Sequence, residues 1–244
     1  MSIDVNRRAA AVIVAAGNGS RFGDTAKVLA PAQGRPLLAW SLNAFEAAHS
    51  VRDVVIVVGA HTEDAIRRLV ASGPWTKVTA MVVGGANRQE SVANGIAAVR
   101  DDLEIVLIHD AARPMIDPMQ VDACTKCAMT TGAAILAAPV ADTLKRVDAG
   151  RIVETVSRAG MWAAQTPQAF RLTDYRDALA CIQGREADFT DDASVFEALG
   201  RPVAIVPGTR LNIKVTEPED LVLVDLLLRD RGSRCADEEA SDRG

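Results

Sequence analysis

Apolar residues along this chain fall into short unbroken runs, and segments with helical spacing separate most of these runs. The runs with strand composition are AAAVIVAA (9–16), DVVIVVG (53–59), VTAMVVG (78–84), EIVLIHD (104–110), GAAILAAPV (132–140) and RPVAIVPG (201–208). Helical periodicity predicts helices over 36–48, 61–71, 89–100 and 117–130. Unbroken apolar strands are buried on both faces, so the alternation predicts an α/β fold with a Rossmann-like, mostly parallel sheet and helices on both faces.

In open sheets of this kind, ligands bind at the carboxyl ends of the strands. Four loops follow predicted strands or lie close to their ends, and they contain glycine, charged residues or both. They are AAGNGSRFG, GGANRQES, HDAARP and PVADT. The sequence therefore predicts a ligand site on one rim of the sheet, built from these loops.

One segment departs from the alternation of strand and helix. TLKRVDAGRIVETVS (143–157) predicts a β-hairpin with its turn at 148–150. A lone two-stranded ribbon is marginally stable in water, and its apolar side chains need a surface to cover them. That surface is either the matching hairpin of a second copy, in an isologous dimer, or the hairpin's own domain.

The same reading divides the chain into three parts. Residues 1–8 are predicted to be a flexible N-terminus, 9–230 a single domain that includes a β-arm at 141–162, and 231–244 a polar, disordered tail. The last predicted helix is PEDLVLVDLLLRD (218–230).

Composition excludes several kinds of partner. The 244 residues carry a net charge of -5 with Lys and Arg dispersed, which disfavours nucleic acid and anionic membrane as partners. No apolar run reaches the roughly 20 residues of a membrane span, and MSIDVNRR lacks the apolar centre of a signal peptide, so a cytoplasmic location is expected. Cys124 and Cys127 form a C-x-x-C pair, but the absence of a second ligand pair and their helical spacing favour ordinary helix residues.

The glycine loop after the first strand has the ingredients of an anion site. Its G-x-G-x-x-x-G spacing misses the dinucleotide fingerprint by one residue, and Lys27 follows Ala26 rather than the glycine a P-loop needs. Glycines nevertheless let backbone N–H groups approach an anion, and Arg21 and Lys27 add charge that suits a triphosphate. An ordinary turn accounts for the glycines but not for both cations.

Seven motifs occur together in order between about residues 9 and 230. They are AAGNGSRFG with Lys27, GGANRQESV, HDAARP, DTLKR, QTPQAF, TDDAS and NIKVTEPEDL. The ordered set resembles the 2-C-methyl-D-erythritol 4-phosphate cytidylyltransferase family of the non-mevalonate isoprenoid pathway. The resemblance implies transfer of CMP from CTP to the acceptor's phosphate, with release of pyrophosphate and with Mg²⁺. Such in-line attack needs no protein nucleophile, and none of His49, His61 and His109 lies in a triad motif.

The resemblance also implies a role for each matching residue. The implied catalytic residues are Arg21, Lys27, Arg158 and Lys214. The implied nucleotide-binding residues are Ala15, Ala16, Gly17, Gly19, Gly84, Gly85, Ala86 and Ser91. The implied acceptor-binding residues are Asp110, Arg113, Thr143, Arg158, Thr166, Thr190 and Lys214. Because Thr143 and Arg158 lie on the two predicted strands of the hairpin arm and match residues that serve the neighbouring subunit's site, a homodimer through the β-arm is expected.

For some of these positions, the residues themselves also support an alternative interpretation. Asp110 ends an apolar strand, where its partner is either a Mg²⁺–triphosphate, with Asp110 as metal ligand, or Arg113 in an ion pair. Contact with metal, ribose or acceptor stays open for Asp110. Asn87 is a candidate cap for the helix after the glycine pair, and Thr190 or Asp191 is a candidate cap for the helix after TDDAS.

The chain departs from the family pattern at two places. Ala86 stands where an acidic residue is common, which removes a side-chain contribution that Arg88 is a candidate to replace. Ala26-Lys27-Val28 stands where many relatives have Pro-Lys-Gln, so the preset φ of the proline is lost while the lysine is kept.

Three other functions fit parts of the pattern. A ribitol phosphate cytidylyltransferase shares the nucleotide half of the site but not the acceptor half. A dinucleotide-dependent oxidoreductase needs an acidic residue after the second strand, where this chain has VGAH. A non-catalytic nucleotide sensor is expected to have lost Arg21, Lys27 or Lys214, and all three are present.

Overall fold

The computed structural model describes residues 8–17, 26–185 and 189–241, with side chains up to residue 232. The strands are β1 Ala9–Ala15, β2 Pro31–Ala32, β3 Arg35–Pro36, β4 Val51–Val58, β5 Val78–Val83, β6 Ile105–Asp110, β7 Ala133–Pro139, β8 Leu144–Asp148, β9 Arg151–Val156, β10 Trp162–Arg171 and β11 Ala204–Pro207. The α-helices are α1 Leu37–Ala47, α2 Glu63–Ser72, α3 Arg88–Ala97, α4 Pro118–Thr131, α5 Leu172–Cys181, α6 Asp192–Ala198 and α7 Pro218–Ser241. A 3₁₀ helix covers Lys27–Leu29.

Within the described residues, seven strands form one sheet in the order β11-β7-β10-β6-β1-β4-β5. β10 runs antiparallel to both of its neighbours, whereas the other pairs are parallel. The parallel strands place the ends of β1, β5 and β6 on a common rim. The predicted α/β fold with a mostly parallel sheet is confirmed.

Helices cover both faces of the sheet. Side chains alternate between faces along a strand, so Ile13 packs with α1, α2 and α4, whereas Val12 packs with α3, α5 and α6. A third, smaller cluster joins the β2–β3 hairpin to α7. All six predicted strands and the predicted helices are present, with ends shifted by a few residues, and Cys124 and Cys127 both lie in α4.

The hairpin is present as β8 and β9, and its turn residues Ala149 and Gly150 have φ values of 44° and 76°. Two adjacent positive φ angles match the twist of the strands in a tight hairpin. Val147, Ile152 and Val153 on these strands are exposed in the single chain.

The end of the chain differs from the prediction. α7 continues past residue 230 to Ser241, so 231–241 is helical in this structure and not the disordered tail that was expected. Extending an existing helix needs no new nucleus, and the segment contains Arg, Ala and Glu but no proline. None of the helices in the described part of the chain has the length and apolar character needed to cross a membrane.

Candidate active site at the carboxyl rim

A cavity of about 320 Å³ opens where β1, β5 and β6 end. Its walls come from the loop after β1, the turn between β5 and α3, the end of β6 and the segment before α7. The residues that line it are Val14, Ala16, Gly17, Lys27, Val28, Gly85, Ala86, Asn87, Arg88, Ser91, Asp110, Ala112 and Lys214. Two lysines and one arginine therefore face the same space as one carboxylate.

The turn between β5 and α3 is braced by its own side chains. Asn87 caps α3 by accepting a hydrogen bond from the Glu90 N–H at 2.9 Å, which confirms the predicted cap. The Ser91 hydroxyl accepts from the Gly85 N–H at 3.1 Å and donates to the Asn87 carbonyl at 2.8 Å. These bonds hold the glycine pair in one conformation beside the cavity.

Gly84 has no room for a side chain. A Cβ at this position lies 2.6 Å from the Cβ of Ala16 and 2.7 Å from the Ser91 hydroxyl oxygen. The missing side chain lets the turn after β5 pack directly against the end of β1. The two loops that the sequence assigns to the nucleotide are therefore in contact.

Asp110 ends β6 and pairs with two cations. Its Oδ2 lies 2.7 Å from Lys214 Nζ, and its Oδ1 lies 3.4 Å from Arg88 Nη2. Burial raises the pKa of the Asp110 carboxyl, but the charges of Arg88 and Lys214 outweigh burial and hold the pKa well below its ordinary value. Arg113, the partner considered from the sequence, instead donates to the main-chain carbonyl of Asn212 at 2.8 Å.

Arg88 connects Asp110 to a second, fully buried carboxylate. Its Nη2 lies 2.8 Å from Asp192 Oδ2, and the Tyr175 hydroxyl donates to Asp192 Oδ1 at 2.6 Å. Gln168 Oε1 accepts from the backbone N–H groups of Asp192 and Ala193. Burial lowers the pKa of Arg88, and Asp192 and Asp110 raise it by more, so the guanidinium stays charged.

Behind Asp110, Thr166 and His109 form a neutral hydrogen-bonded chain. Thr166 Oγ1 accepts from the Asp110 N–H at 3.0 Å and lies 3.1 Å from His109 Nδ1, while His109 Nε2 lies 3.3 Å from the Arg113 carbonyl. Burial lowers the pKa of His109 to about 3. The imidazole is therefore neutral at pH 7, and these partners fit a tautomer with the proton on Nε2, with Nδ1 accepting from the Thr166 hydroxyl.

Comparison with known proteins decides what this arrangement belongs to. The family model for 2-C-methyl-D-erythritol 4-phosphate cytidylyltransferase (IspD) matches residues 9–230. The chain belongs to this family. The resemblance inferred from the seven motifs is confirmed, and the chain is a cytidylyltransferase, which is a nucleotidyltransferase enzyme.

Individual relatives agree with the family model. The 2-C-methyl-D-erythritol 4-phosphate cytidylyltransferase of Pelotomaculum thermopropionicum is 42% identical over 233 residues, covering 94% of this chain and 98% of the relative. The crystal structure of the enzyme of that name from Thermus thermophilus has 32% identity and a TM-score of 0.74, covering 89% of this chain and 98% of that one. The 4-diphosphocytidyl-2C-methyl-D-erythritol synthase structure from Anaerococcus prevotii has a TM-score of 0.80 at 26% identity, covering 92% and 97%.

The cavity of this cytidylyltransferase brings together part of the predicted set. The predicted residues that line it are Ala16, Gly17, Lys27, Gly85, Ala86, Ser91, Asp110 and Lys214. Ala15 and Gly84 adjoin lining residues along the chain, at the end of β1 and after β5. Thr166 accepts a hydrogen bond from the Asp110 N–H, and the Arg113 N–H donates to the Asp110 carbonyl. Gly19 and Arg21 fall outside the described residues.

The remaining predicted residues, Thr143, Arg158 and Thr190, are not among those that line the cavity of their own chain. Thr143 precedes β8 and Arg158 follows β9, both are exposed, and Arg158 Nη1 donates to the Ala141 carbonyl. Thr190 is exposed and directly precedes Asp191, which is the residue that caps α6. The cap predicted as Thr190 or Asp191 is thus Asp191, in a capping box with Ser194.

Sequence reasoning missed the network behind Arg88. It considered Arg88 only as a replacement for the acidic side chain absent at Ala86, whereas the guanidinium points to Asp110 and Asp192. Asp192 lies 104 positions along the chain from Arg88, and Tyr175 lies in another helix. The one signal in the sequence is the acidic pair in TDDAS. A helix cap needs only one of these two residues, so the second, Asp192, indicates a further role.

Proposed function

We propose that this chain transfers CMP from CTP to 2-C-methyl-D-erythritol 4-phosphate, giving 4-diphosphocytidyl-2-C-methyl-D-erythritol and pyrophosphate for isoprenoid biosynthesis. The observation that carries the proposal is the convergence of Lys27, Lys214 and Asp110 on one cavity beside a braced glycine turn. A reaction between two phosphate-bearing substrates needs concentrated positive charge, and the cavity supplies it without a nucleophile-base pair.

The nucleotide half of the site is assigned to β1 and to the turn after β5. Ala15, Ala16 and Gly17, with Gly19 in the loop, are assigned to the nucleotide together with Gly84, Gly85, Ala86 and Ser91. Since the Ala86 side chain is a methyl group, the edge of the cytosine is read here by main-chain groups and the Ser91 hydroxyl. The Gly85 and Ala86 N–H groups now donate to Ser91 and Glu90, so base binding exchanges or shares these bonds.

In the reaction, an oxygen of the acceptor phosphate attacks the α-phosphorus of CTP and forms the new P–O bond. The bond from the α-phosphorus to the bridging oxygen breaks, and its electron pair leaves with pyrophosphate. Lys27 and Arg21 are assigned to the negative charge that grows on the α-phosphate and the leaving group. Lys214 is assigned to the attacking phosphate, and Asp110 holds its ammonium group at the cavity wall.

A divalent cation fits the residues that are present. Asp110 supplies one carboxylate with surface on the cavity, and Mg²⁺ commonly binds through one or two carboxylates, substrate phosphates and water. Within the described residues, no group of three or more His, Cys, Asp or Glu side chains forms a ready-made metal site. Asp110 is therefore the proposed protein ligand, and bound Mg²⁺ would supply neutralisation of triphosphate charge.

The acceptor half of the site is proposed to be shared between two copies. Arg113, Thr166 and Thr190 are assigned to the acceptor from the same chain, although the Thr166 hydroxyl currently bonds to Asp110 and His109. Thr143 and Arg158 are assigned to the neighbouring copy's site, reached through the β-arm. The exposed Val147, Ile152 and Val153 support this assignment, because they give the β-arm an apolar surface that a second copy would cover. A single domain over 9–230 and a cytoplasmic location remain predictions.

The test compares pyrophosphate release from CTP and Mg²⁺ with two acceptors, 2-C-methyl-D-erythritol 4-phosphate and ribitol 5-phosphate. We expect release with the first acceptor alone. Release with ribitol 5-phosphate alone would keep the nucleotide half of the site and overturn the acceptor assignment. No release with either acceptor, from protein that is folded by circular dichroism, would refute the proposed reaction.

A further inference from the structure

The turn between β2 and β3 is attached to α7 through two residues. The Gln33 N–H donates to Asp225 Oδ1 at 2.6 Å, and Gln33 Nε2 donates to Asp225 Oδ2, also at 2.6 Å. Gln33 Nε2 also lies 3.2 Å from the Asp225 carbonyl. One carboxylate thus binds both the main chain and the side chain of a single turn residue, a geometry that fixes the turn's orientation as well as its position.

Apolar packing supports the same attachment. Ala32 and Leu37, at either side of the turn, are fully buried in one cluster with Val224 and Leu228 of α7. The cluster also contains Val215, the residue after Lys214. The β2–β3 hairpin and α7 are therefore packed together through a shared apolar cluster.

Gln33 and Asp225 each lie on a segment of the chain that also carries a lysine of the cavity. Lys27 begins the 3₁₀ helix that runs into β2, and its carbonyl accepts from the Ala30 N–H at 3.0 Å. On the other side, Lys214 precedes α7, and Val215 N–H donates to the Ala112 carbonyl at 2.8 Å. The two lysines thus approach the cavity from segments that meet again at Gln33 and Asp225.

Side-chain hydrogen bonds also hold the beginning of α7. Asp220 Oδ2 accepts from the Thr216 N–H at 2.7 Å and from the Glu217 N–H at 2.9 Å. These hydrogen bonds lower the pKa of Asp220, and the positive charge of Lys27 lowers it further. The segment that carries Lys214 is therefore hydrogen-bonded to the first turn of the helix that Gln33 contacts.

We propose that Gln33 and Asp225 are positioning residues that set the spacing of Lys27 and Lys214 across the cavity, with α7 as the common frame. This inference rests on the proposed function, in which both lysines act on the phosphates. A displacement of about 1 Å at a phosphate-binding group can cost about 10²-fold in rate, so a loosened hairpin is expected to cost about tenfold in kcat.

The experiment measures kcat and KM for Asp225→Ala in the wild-type chain and in Lys27→Ala. Asp225→Ala is expected to lower kcat about tenfold in the wild-type background and less than twofold in the Lys27→Ala background, because its effect passes through Lys27. Glu219→Ala is the matched control, since it removes an exposed carboxylate from the same helix away from the hairpin, and its kcat is expected to stay at the wild-type value. Gln33→Ala, made from the other side of the contact, is expected to match Asp225→Ala without adding to it.

Asp225→Asn separates hydrogen bonding from charge. The asparagine can accept from the Gln33 N–H and donate to Gln33 Oε1 once the Gln33 amide turns over, so we expect kcat within about twofold of wild type. An equal fold loss from Asp225→Ala in both backgrounds, or no loss in the wild-type background, would overturn the inference while the proposed reaction stands. A Lys27→Ala enzyme as fast as wild type would overturn the role of Lys27 and the inference with it. Absence of pyrophosphate release by the unaltered chain with either acceptor would refute the proposed function itself.

Discussion

Asp192 is a carboxylate with no exposed surface, and it is stable there because its oxygens are shared between two donors. Arg88 supplies the opposite charge, and Tyr175 supplies a hydroxyl whose pKa is raised by burial and by Asp192, which keeps the proton on the donor. Buried pairs of this kind contribute little net stability compared with apolar residues, yet removing one partner is costly. Because Arg88 pairs with both Asp192 and Asp110, a substitution of Asp192 is expected to change the position of Arg88 beside Asp110 and the cavity.

The first prediction concerns the Arg88–Asp192 pair. Arg88→Leu should lower the free energy of unfolding by about 3 kcal/mol, because the Asp192 carboxylate stays buried without its cation. The double variant Arg88→Leu/Asp192→Leu should lose less than the sum of the two single losses, by about 1 kcal/mol or more. Urea unfolding of the four proteins measures this coupling, and strictly additive losses would show that the pair is not coupled.

The second prediction concerns pH and His109. Its folded pKa of about 3 lies below an unfolded value of about 6.5, so the unfolded chain binds more protons between these values. Stability should therefore fall as the pH drops below about 6.5, by about 1 kcal/mol between pH 7.5 and 5.5. The Asp110 carboxyl, whose pKa is lowered by folding, affects stability only as the pH falls through about 4.

His109→Gln is the control for this prediction. Glutamine can bond to Thr166 but does not titrate, so the free energy of unfolding of this variant should be nearly constant from pH 7.5 to 5.5. A slope equal to that of the wild-type protein would assign the pH dependence to other groups.

At the scale of the elements, the contact between β1 and the turn after β5 depends on Gly84. Gly84→Ala places a methyl group within 2.6 Å of Ala16 Cβ and 2.7 Å of the Ser91 hydroxyl oxygen. We expect KM for CTP to rise about tenfold, because the added methyl group pushes the turn after β5 away from the end of β1. The groups assigned to the nucleotide are then displaced by a fraction of an ångström, and small displacements in a binding site are costly. KM for the acceptor should change much less.

Gly232→Ala in α7 is the matched control, since a Cβ there meets no atom within 4 Å. Alanine is the better helix former, so this variant should keep both KM values and the wild-type stability or slightly more. Equal changes in KM for CTP and acceptor in Gly84→Ala would remove Gly84 from the nucleotide half of the site.

One strand of the sheet, β10, could not be predicted from the sequence pattern. β10 was not predicted, because WAAQTPQAFR contains a proline and buried Gln165, Thr166 and Gln168, which are uncommon in a central strand. The ladder between β10 and β7 has an irregularity between Ala164 and Gln168, and the proline lies within it. The polar side chains are buried because they bond to Asp110, Thr209 and the start of α6.

At the scale of the whole molecule, the proposed exchange of β-arms makes a prediction about mixed dimers. A dimer of one Lys27→Ala subunit and one Arg158→Ala subunit has one site with both changes and one site with neither, if the β-arm of each subunit serves its neighbour. Mixed dimers isolated through two different tags should therefore have about half the wild-type activity. Each variant alone should have little activity.

The outcome that contradicts this arrangement is equally clear. If the β-arm served its own chain, each site of the mixed dimer would carry one harmful change, and the mixed dimer would be as slow as its parents. A chain that sediments as a monomer at assay concentration while fully active would refute the shared site as well.

The sequence by itself determined most of the strands and helices but not β10, together with the hairpin and its turn, the cap at Asn87 and the family, because each of these depends on short-range patterns or on motifs read in order. It also marked Lys27, Asp110 and Lys214 as site residues. Only the tertiary structure decided that Asp110 pairs with Arg88 and Lys214 and not with Arg113, that Tyr175 and Asp192 stand behind Arg88, and that Gln33 meets Asp225. These contacts join residues that are distant along the chain, and the packing of the sheet with its helices is what makes them neighbours.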